Sequence, residues 1–264
     1  DPAPIMRFAE NAERFGHTLD RIIVAYSHGV DPETVAAVSK VINITVVKAS
    51  GDANLRNRLL FSGLSEDDVD GLLDVPSWPH QQEVPYGAYR NAVLFQALLD
   101  GMNYLLFFDS DVRPVVLTAL HGETPVWQEN DFVGTHLTSL REESVAVTTS
   151  DYSGYYIIPP MSFDGLGDLL FGLGKGISLE YLEDCHKHGC LILGQASPGP
   201  PVSTAKPLGG NLGLSLDEPL RLAPFFSTIY TTGGKSIMGR GEDTLLGQAL
   251  SDFEGRMIDV GLRI

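Results

Sequence analysis

The sequence predicts an α/β protein with a doubly wound, mostly parallel central sheet and helices on both faces, in the Rossmann-like manner. Three observations predict it. Helical and strand-like segments alternate along the first half of the chain. The strand candidates are unbroken apolar runs rather than alternating ones, as in a sheet buried on both faces. The strongest of them, Tyr104-Leu105-Leu106-Phe107-Phe108, stops abruptly at Asp109-Ser110-Asp111. The carboxyl end of a parallel strand is where open α/β sheets bind ligands.

The elements follow in order. Ile5, Met6, Phe8, Ala9, Ala12 and Phe15 have helical spacing between Pro4 and Phe15. Arg21 to Tyr26 is a short buried strand, and Ser27-His28-Gly29-Val30 is the loop after it. Asp31-Pro32 supplies a cap and a first-turn proline for a helix packed through Val35, Ala36 and Val38, and Ile44 to Val47 is a second strand. Such an order implies right-handed parallel crossovers. Glu66, Asp67, Asp68, Asp70 and Asp74, in the acid-rich segment from Gly51 to Val84, read as a solvated helix face. Tyr86 to Leu99 is helical, with Gly101 as its stop, and it delivers the chain into the Asp109 strand.

Beyond Pro114 the pattern is less regular. Asp131 to Gly134 reads as a short extended piece and Val145 to Thr149 as a strand. Phe163 to Leu193 is mostly helical in spacing, weakened by its glycines at roughly 1 kcal/mol each. Gln195 to Gly213 reads as a glycine- and proline-rich loop, and Leu220 to Tyr230 is apolar and aromatic. No repeat or domain boundary interrupts the chain.

Composition excludes several classes of partner. The 264 residues are 43% hydrophobic, and 34 acids against 18 Lys and Arg give a net charge of -16. That surface repels nucleic acid and anionic membranes, so an anionic ligand must be met locally, by a metal or by backbone amides. No apolar run reaches the roughly 20 residues of a spanning helix, so a soluble, cytoplasmic protein without a membrane span is expected. Two cysteines exclude a disulfide scaffold. Cys185-His186-Lys187-His188-Gly189-Cys190 is too compact to surround a zinc ion and reads as the end of a helix running from Ser178 and stopped by Gly189.

Two acidic constellations carry chemistry. Asp109 and Asp111, with Ser110 between them, can share a hard divalent cation and the diphosphate it carries; the plain alternative is an aspartate-rich strand exit. Glu242 and Asp243 open an apolar-periodic helix after Gly239-Arg240-Gly241, where the helix dipole stabilises negative charge; there the plain alternative is capping.

Asn91 ahead of an apolar helical stretch, Phe107-Phe108-Asp109-Ser110-Asp111, Gly209-Gly210-Asn211 and Gly241-Glu242-Asp243-Thr244-Leu245-Leu246 together form an ordered set. From about Arg21 to Asp252 that set resembles the glycosyltransferases of the GT-A fold, most closely the large family two of that class. The resemblance implies a single GT-A-like domain over 1–264, with a nucleotide-binding half at 1–115 and an acceptor-binding, catalytic half at 116–264. It implies transfer of a sugar from a nucleoside-diphosphate sugar to a hydroxyl acceptor. Asp109 and Asp111 would hold Mg²⁺ or Mn²⁺ on the diphosphate. Asp243 would be the general base of an inverting reaction, with Glu242 beside it. Tyr26, Ser27, Asn91 and Ser110 would face the nucleotide, and Gly209, Gly210 and Asn211 would line the sugar and acceptor side.

The chain also departs from that pattern. It opens on what looks like the helix after the family's usual first strand, and Tyr26 and Ser27 replace an acidic pair that reads the base. No counterpart of the usual metal-binding histidine follows the last helix before Ile264; His121, His136, His186 and His188 have no matching context. The family's first strand is therefore missing or unrecognised here, and either the sequence is truncated or the third metal ligand differs. His17 reads as a helix-end residue, His28 as a loop residue facing the nucleotide pocket, and Arg90 as an ion-paired or solvated cation with a possible phosphate role. Two alternatives remain. One is a phosphohydrolase of the haloacid dehalogenase type using Asp109 and Asp111, and the other is a non-catalytic binding protein on a transferase fold.

Overall fold

The computed structural model describes residues 2–26, 29–49, 51–73, 86–110, 112–117, 126–150, 155–157, 163–173, 190–192, 199–217, 223–232, 235–239, 241–250 and 256–262. Ser27, His28, Asp111, His121 and most of the Cys185–Cys190 stretch lie outside them. Cys190 is in a short strand paired with Ile157.

The chain is mixed α/β. Helix α1 (Ala3–Arg14) leads to β1 (Ile22–Tyr26), α2 (Pro32–Val38) and β2 (Ile44–Lys48), as the apolar spacing predicts. The Asp31 carboxylate accepts the Glu33 and Thr34 N–H groups and so starts α2. Strands β1 and β2 pair in parallel, from Ile22 opposite Ile44 to Tyr26 opposite Lys48. Helices α3 (Ala53–Phe61), α4 (Glu66–Leu73) and α5 (Tyr86–Leu99) follow, then β3 (Tyr104–Phe108). Glu66, Asp67 and Asp68 are exposed on α4 while Val69 and Leu73 are buried, which matches the solvated face expected of that acidic run. Asp70 is ion-paired to Arg56.

The remaining elements are β4 (Val115–Leu117), β5 (Trp127–Glu129), α6 (Phe132–Leu140), β6 (Val145–Thr149), β7 (Tyr155–Ile157), α7 (Leu166–Leu173), β8 (Cys190–Ile192), β9 (Val202–Ser203), β10 (Asn211–Ser215), β11 (Thr228–Thr232), β12 (Lys235–Gly239), α8 (Glu242–Leu250) and β13 (Arg256–Asp259). Among the described residues none of these helices is long and apolar enough to cross a membrane.

The central sheet corrects the expectation of a mostly parallel one. It has five strands in the order β3-β10-β6-β13-β9 and is mixed. Strand β10 runs antiparallel between β3 and β6, β13 is parallel to β6, and β9 is antiparallel on the edge. The loop expected from Gln195 to Gly213 therefore ends inside the sheet. Gly213 sits where a Cβ would collide with Thr148, Leu106 and Leu140, so the glycine that suggested a loop is one that close packing within a sheet requires. Asp131 to Gly134 is likewise not extended. The Asp131 carboxylate accepts the Gly134 N–H at 2.8 Å and caps α6.

Helices cover both faces of the sheet, and β3 shows how. Tyr104, Leu106 and Phe108 face Phe8 of α1 and Phe132 and Leu140 of α6. The Phe8 and Phe108 rings stack with centroids 4.2 Å apart. Leu105 and Phe107 face the other way, toward Leu94 and Ala97 of α5 and Leu246 and Leu250 of α8. Helix α5 also buries Ala92, Phe95 and Leu99 against β1, β2, α3 and α4, joining the parallel pair to the rest of the core. Just past α5, Asp100 accepts hydrogen bonds from Arg21, Arg58 and Gln96. Burial would raise its pKa, but the Gln96 and Arg58 bonds and the two arginine charges outweigh that and hold it below the ordinary value.

Candidate active site

Alternation along β3 decides where its terminal acid goes. Asp109 follows Phe108 and shares the face of Phe107, the face on which α5 and α8 pack. Directly across lies Arg90, the sole charged residue of α5. Its guanidinium Nη2 donates to Asp109 Oδ1 at 3.2 Å, its Nε to Glu242 Oε1 at 3.2 Å and its Nη1 to the Gly209 carbonyl at 2.5 Å. The planar fork thus holds two carboxylates and one backbone oxygen at once. Phe107 and Phe225 flank it, with ring centroids 5.9 and 5.8 Å from Cζ.

Burial grades these groups. The Arg90 and Glu242 side chains are only 11% and 10% exposed, whereas Asp109 is 46% exposed. Asp109 therefore offers its carboxylate to solvent, while Glu242 is committed inward. Next to Glu242, Asp243 is half-buried at the start of α8. Its Oδ1 accepts the Thr244 N–H at 2.7 Å and its Oδ2 the Gly209 N–H at 3.4 Å. Gly241, with φ of +116°, provides the left-handed turn into the helix.

The glycine pair has a steric role at the centre of this arrangement. A Cβ on Gly209 would lie 2.5 Å from Arg90 Nη2, and one on Gly210 would lie 2.7 Å from Asp109 Oδ2. Both glycines are buried. They leave room for the arginine and aspartate side chains, and the Gly210 carbonyl accepts the Asp109 N–H at 3.3 Å.

Compared with known protein families, characterised proteins and solved structures, the chain matches none.

Of the residues expected at the site, Asp109, Gly209, Gly210, Glu242 and Asp243 are brought together. Asn91 and Asn211 are turned inward, contrary to the ligand contacts expected of them. Asn91 is 1% exposed; its Nδ2 donates to the Leu72 and Phe225 carbonyls, and its Oδ1 accepts the Phe225 N–H. Asn211 is fully buried, with Nδ2 donating to the Leu262 carbonyl at 2.9 Å. Its Oδ1, an acceptor only, lies 2.9 Å from His136 Nε2, so that nitrogen carries the proton and Nδ1 accepts from the Thr148 hydroxyl at 2.8 Å. Burial keeps this imidazole neutral, lowering its pKa to about 4 against the opposing Asn211 hydrogen bond and Asp259 charge. Tyr26 ends β1 in the separate parallel pair, and Ser110 is exposed beside Asp109. His17 stands past the end of α1, as expected, with Nε2 2.8 Å from Asp131 Oδ1.

Two residues that hold the site together were not assigned to it from the sequence. Arg90 had a signal, since a lone charge on an otherwise uncharged helix needs a buried partner. His136 had none, because its partners Thr148 and Asn211 are distant in sequence.

Of the acids at the site, Asp109 is open to a divalent cation. A cation bound along with a diphosphate needs one or two carboxylates, and takes its other oxygens from phosphate and water. Asp109 meets that need with a half-exposed carboxylate in a cluster where one guanidinium faces two acids. Among the described residues there is no group of three or more His, Cys, Asp or Glu side chains that could hold a metal ion by itself.

Proposed function

We propose that this protein is a metal-dependent glycosyltransferase that moves a sugar from a nucleoside-diphosphate sugar to a hydroxyl acceptor. The observation that carries the reading is the convergence on Arg90. Asp109, Gly209 and Glu242, from three distant parts of the chain, contact one side chain, and Asp243 touches the same Gly209. Those are the segments that the resemblance assigns to the metal, the sugar and the base.

Asp109, with Asp111 two positions on in the sequence, would hold the cation on the donor diphosphate. When bound, the cation supplies Lewis-acid stabilisation of the departing diphosphate. Asp243 is the general base. It accepts the acceptor hydroxyl's proton as that oxygen bonds to the anomeric carbon and the bond from that carbon to the diphosphate oxygen breaks. The division between the two acids of α8 follows from burial, since Glu242 is engaged by Arg90 and Asp243 keeps an exposed edge. An attack from the side opposite the diphosphate gives inversion.

The test is equilibrium binding of a panel of nucleoside diphosphates, with Mn²⁺ or with chelator, to the parent and to Asp109→Asn. Binding of one nucleotide only with Mn²⁺, lost in the variant, supports the reading. Absence of metal-dependent binding across the panel overturns it, and phosphate release from a simple aryl phosphate would point instead to a phosphohydrolase.

A further inference from the structure

Arg90 carries one positive charge between two carboxylates, and it is nearly as buried as Glu242. A cation approaching Asp109 therefore meets a resident competitor at Oδ1. From this geometry we infer that Arg90 is a positioning residue that withholds Asp109 from a bare divalent ion and yields it only when the ion arrives with a diphosphate. The inference rests on the assignment of Asp109 as a metal ligand.

The physical argument is charge balance. A bare divalent ion at Asp109 would bring two positive charges beside the Arg90 guanidinium, and the like charges repel. A metal-diphosphate adds its own negative charge, so the guanidinium then stabilises the complex. Arg90 cannot retreat far, because Phe107 and Phe225 flank it and the Gly209 carbonyl and Glu242 hold two corners of its fork. Its contact with the exposed carboxylate is the one that can be exchanged.

Arg90→Met alone would strip the buried Glu242 carboxylate of its charge partner, leaving it the Gly241 N–H at 3.3 Å, and could unfold the chain. Arg90→Met combined with Glu242→Gln removes one charge of each sign, leaves the local net charge unchanged and avoids a lone buried carboxylate. Arg90→Lys keeps the charge and loses the fork. Free Mn²⁺, read by its electron paramagnetic resonance signal, is titrated with each protein, without nucleotide and with a nucleoside diphosphate. Each background is repeated with Asp109→Asn, to subtract ions on the acidic surface.

The expected result is Asp109-dependent binding of Mn²⁺ alone that is at least tenfold tighter in the double variant than in the parent. The same variant binds the Mn²⁺-nucleoside diphosphate at least tenfold more weakly, and Arg90→Lys lies between on both readings. A purely structural role would weaken both or change neither, and either result overturns the inference, as does a double variant with no Asp109-dependent Mn²⁺ binding. If no nucleoside diphosphate binds to the parent with metal, the transferase reading fails separately; the comparison with Mn²⁺ alone still decides whether Arg90 guards Asp109.

Discussion

Asn91 brackets the backbone of Phe225 from both sides: its Oδ1 accepts the Phe225 N–H at 2.8 Å and its Nδ2 donates to the Phe225 carbonyl at 2.9 Å. One buried amide thus does for the 223–227 segment what a neighbouring strand would do, and it holds the Phe225 ring against Arg90.

Asn91→Ala leaves buried backbone groups of Phe225 and Leu72 without that partner. At about 1–3 kcal/mol for a buried group left unsatisfied, the loss of stability should reach a few kcal/mol. Urea denaturation should show a lower midpoint with an unchanged slope.

Gly213→Ala should destabilise by about 1–3 kcal/mol, the usual range for overpacking a core. The added methyl meets Leu106 Cδ2 at 2.9 Å and Leu140 Cδ1 at 3.1 Å, in two different elements. Gly209→Ala should cost less stability, because the added methyl meets a single side chain, Arg90, whose contact with the half-exposed Asp109 can be exchanged. It should instead weaken metal-dependent nucleotide binding by displacing the guanidinium from Asp109. Thermal melting and nucleotide titration of the two variants should rank them in opposite orders.

The two assigned acids should fail differently. Asp109→Asn should abolish metal-dependent nucleotide binding. Asp243→Asn should bind the same nucleotide within a fewfold of the parent yet transfer sugar on the order of 10²–10⁴ times more slowly, the usual contribution of a general base. Titration beside a transfer assay separates the roles; equal loss of binding in both would remove Asp243 as the base.

His136 should make stability depend on pH. Its folded pKa of about 4 lies below the ordinary histidine value of 6.5, so the unfolded chain takes up a proton first as pH falls. The stabilisation is present above about pH 6.5 and is lost progressively toward pH 4, to a total of about 3 kcal/mol at 1.36 kcal/mol per unit. Unfolding midpoints across that window should fall more steeply in the parent than in His136→Gln, which cannot take up this proton.

The sequence made the α/β class, the strand ending at Asp109 and the helix opening at Glu242 legible, because each announces itself within a few residues. Long apolar runs, a capping acid and a glycine stop are local signals. Strand β10 was hidden because Asn211-Leu212-Gly213-Leu214-Ser215 is short and contains a glycine whose reason lies in Thr148, Leu106 and Leu140. Its antiparallel direction, and with it the mixed sheet, follows from pairing partners rather than composition. The carboxylates of the site were visible as acids out of place. The ion pairs that organise them were not, since partners such as Arg90 and Glu242 stand 152 positions apart.

Strand β10 also sets the order in which the protein can be completed during synthesis. Residues 104–108 and 145–149 emerge well before residues 211–215, the strand that joins them. Asn103 must wait for Asp217, 114 positions later, before that end of the sheet is latched. Contacts of such separation slow folding and leave apolar strand edges open meanwhile. The segment 211–215 is therefore the folding trigger, and a nascent chain stopped before residue 211 should remain bound by chaperones rather than be released folded.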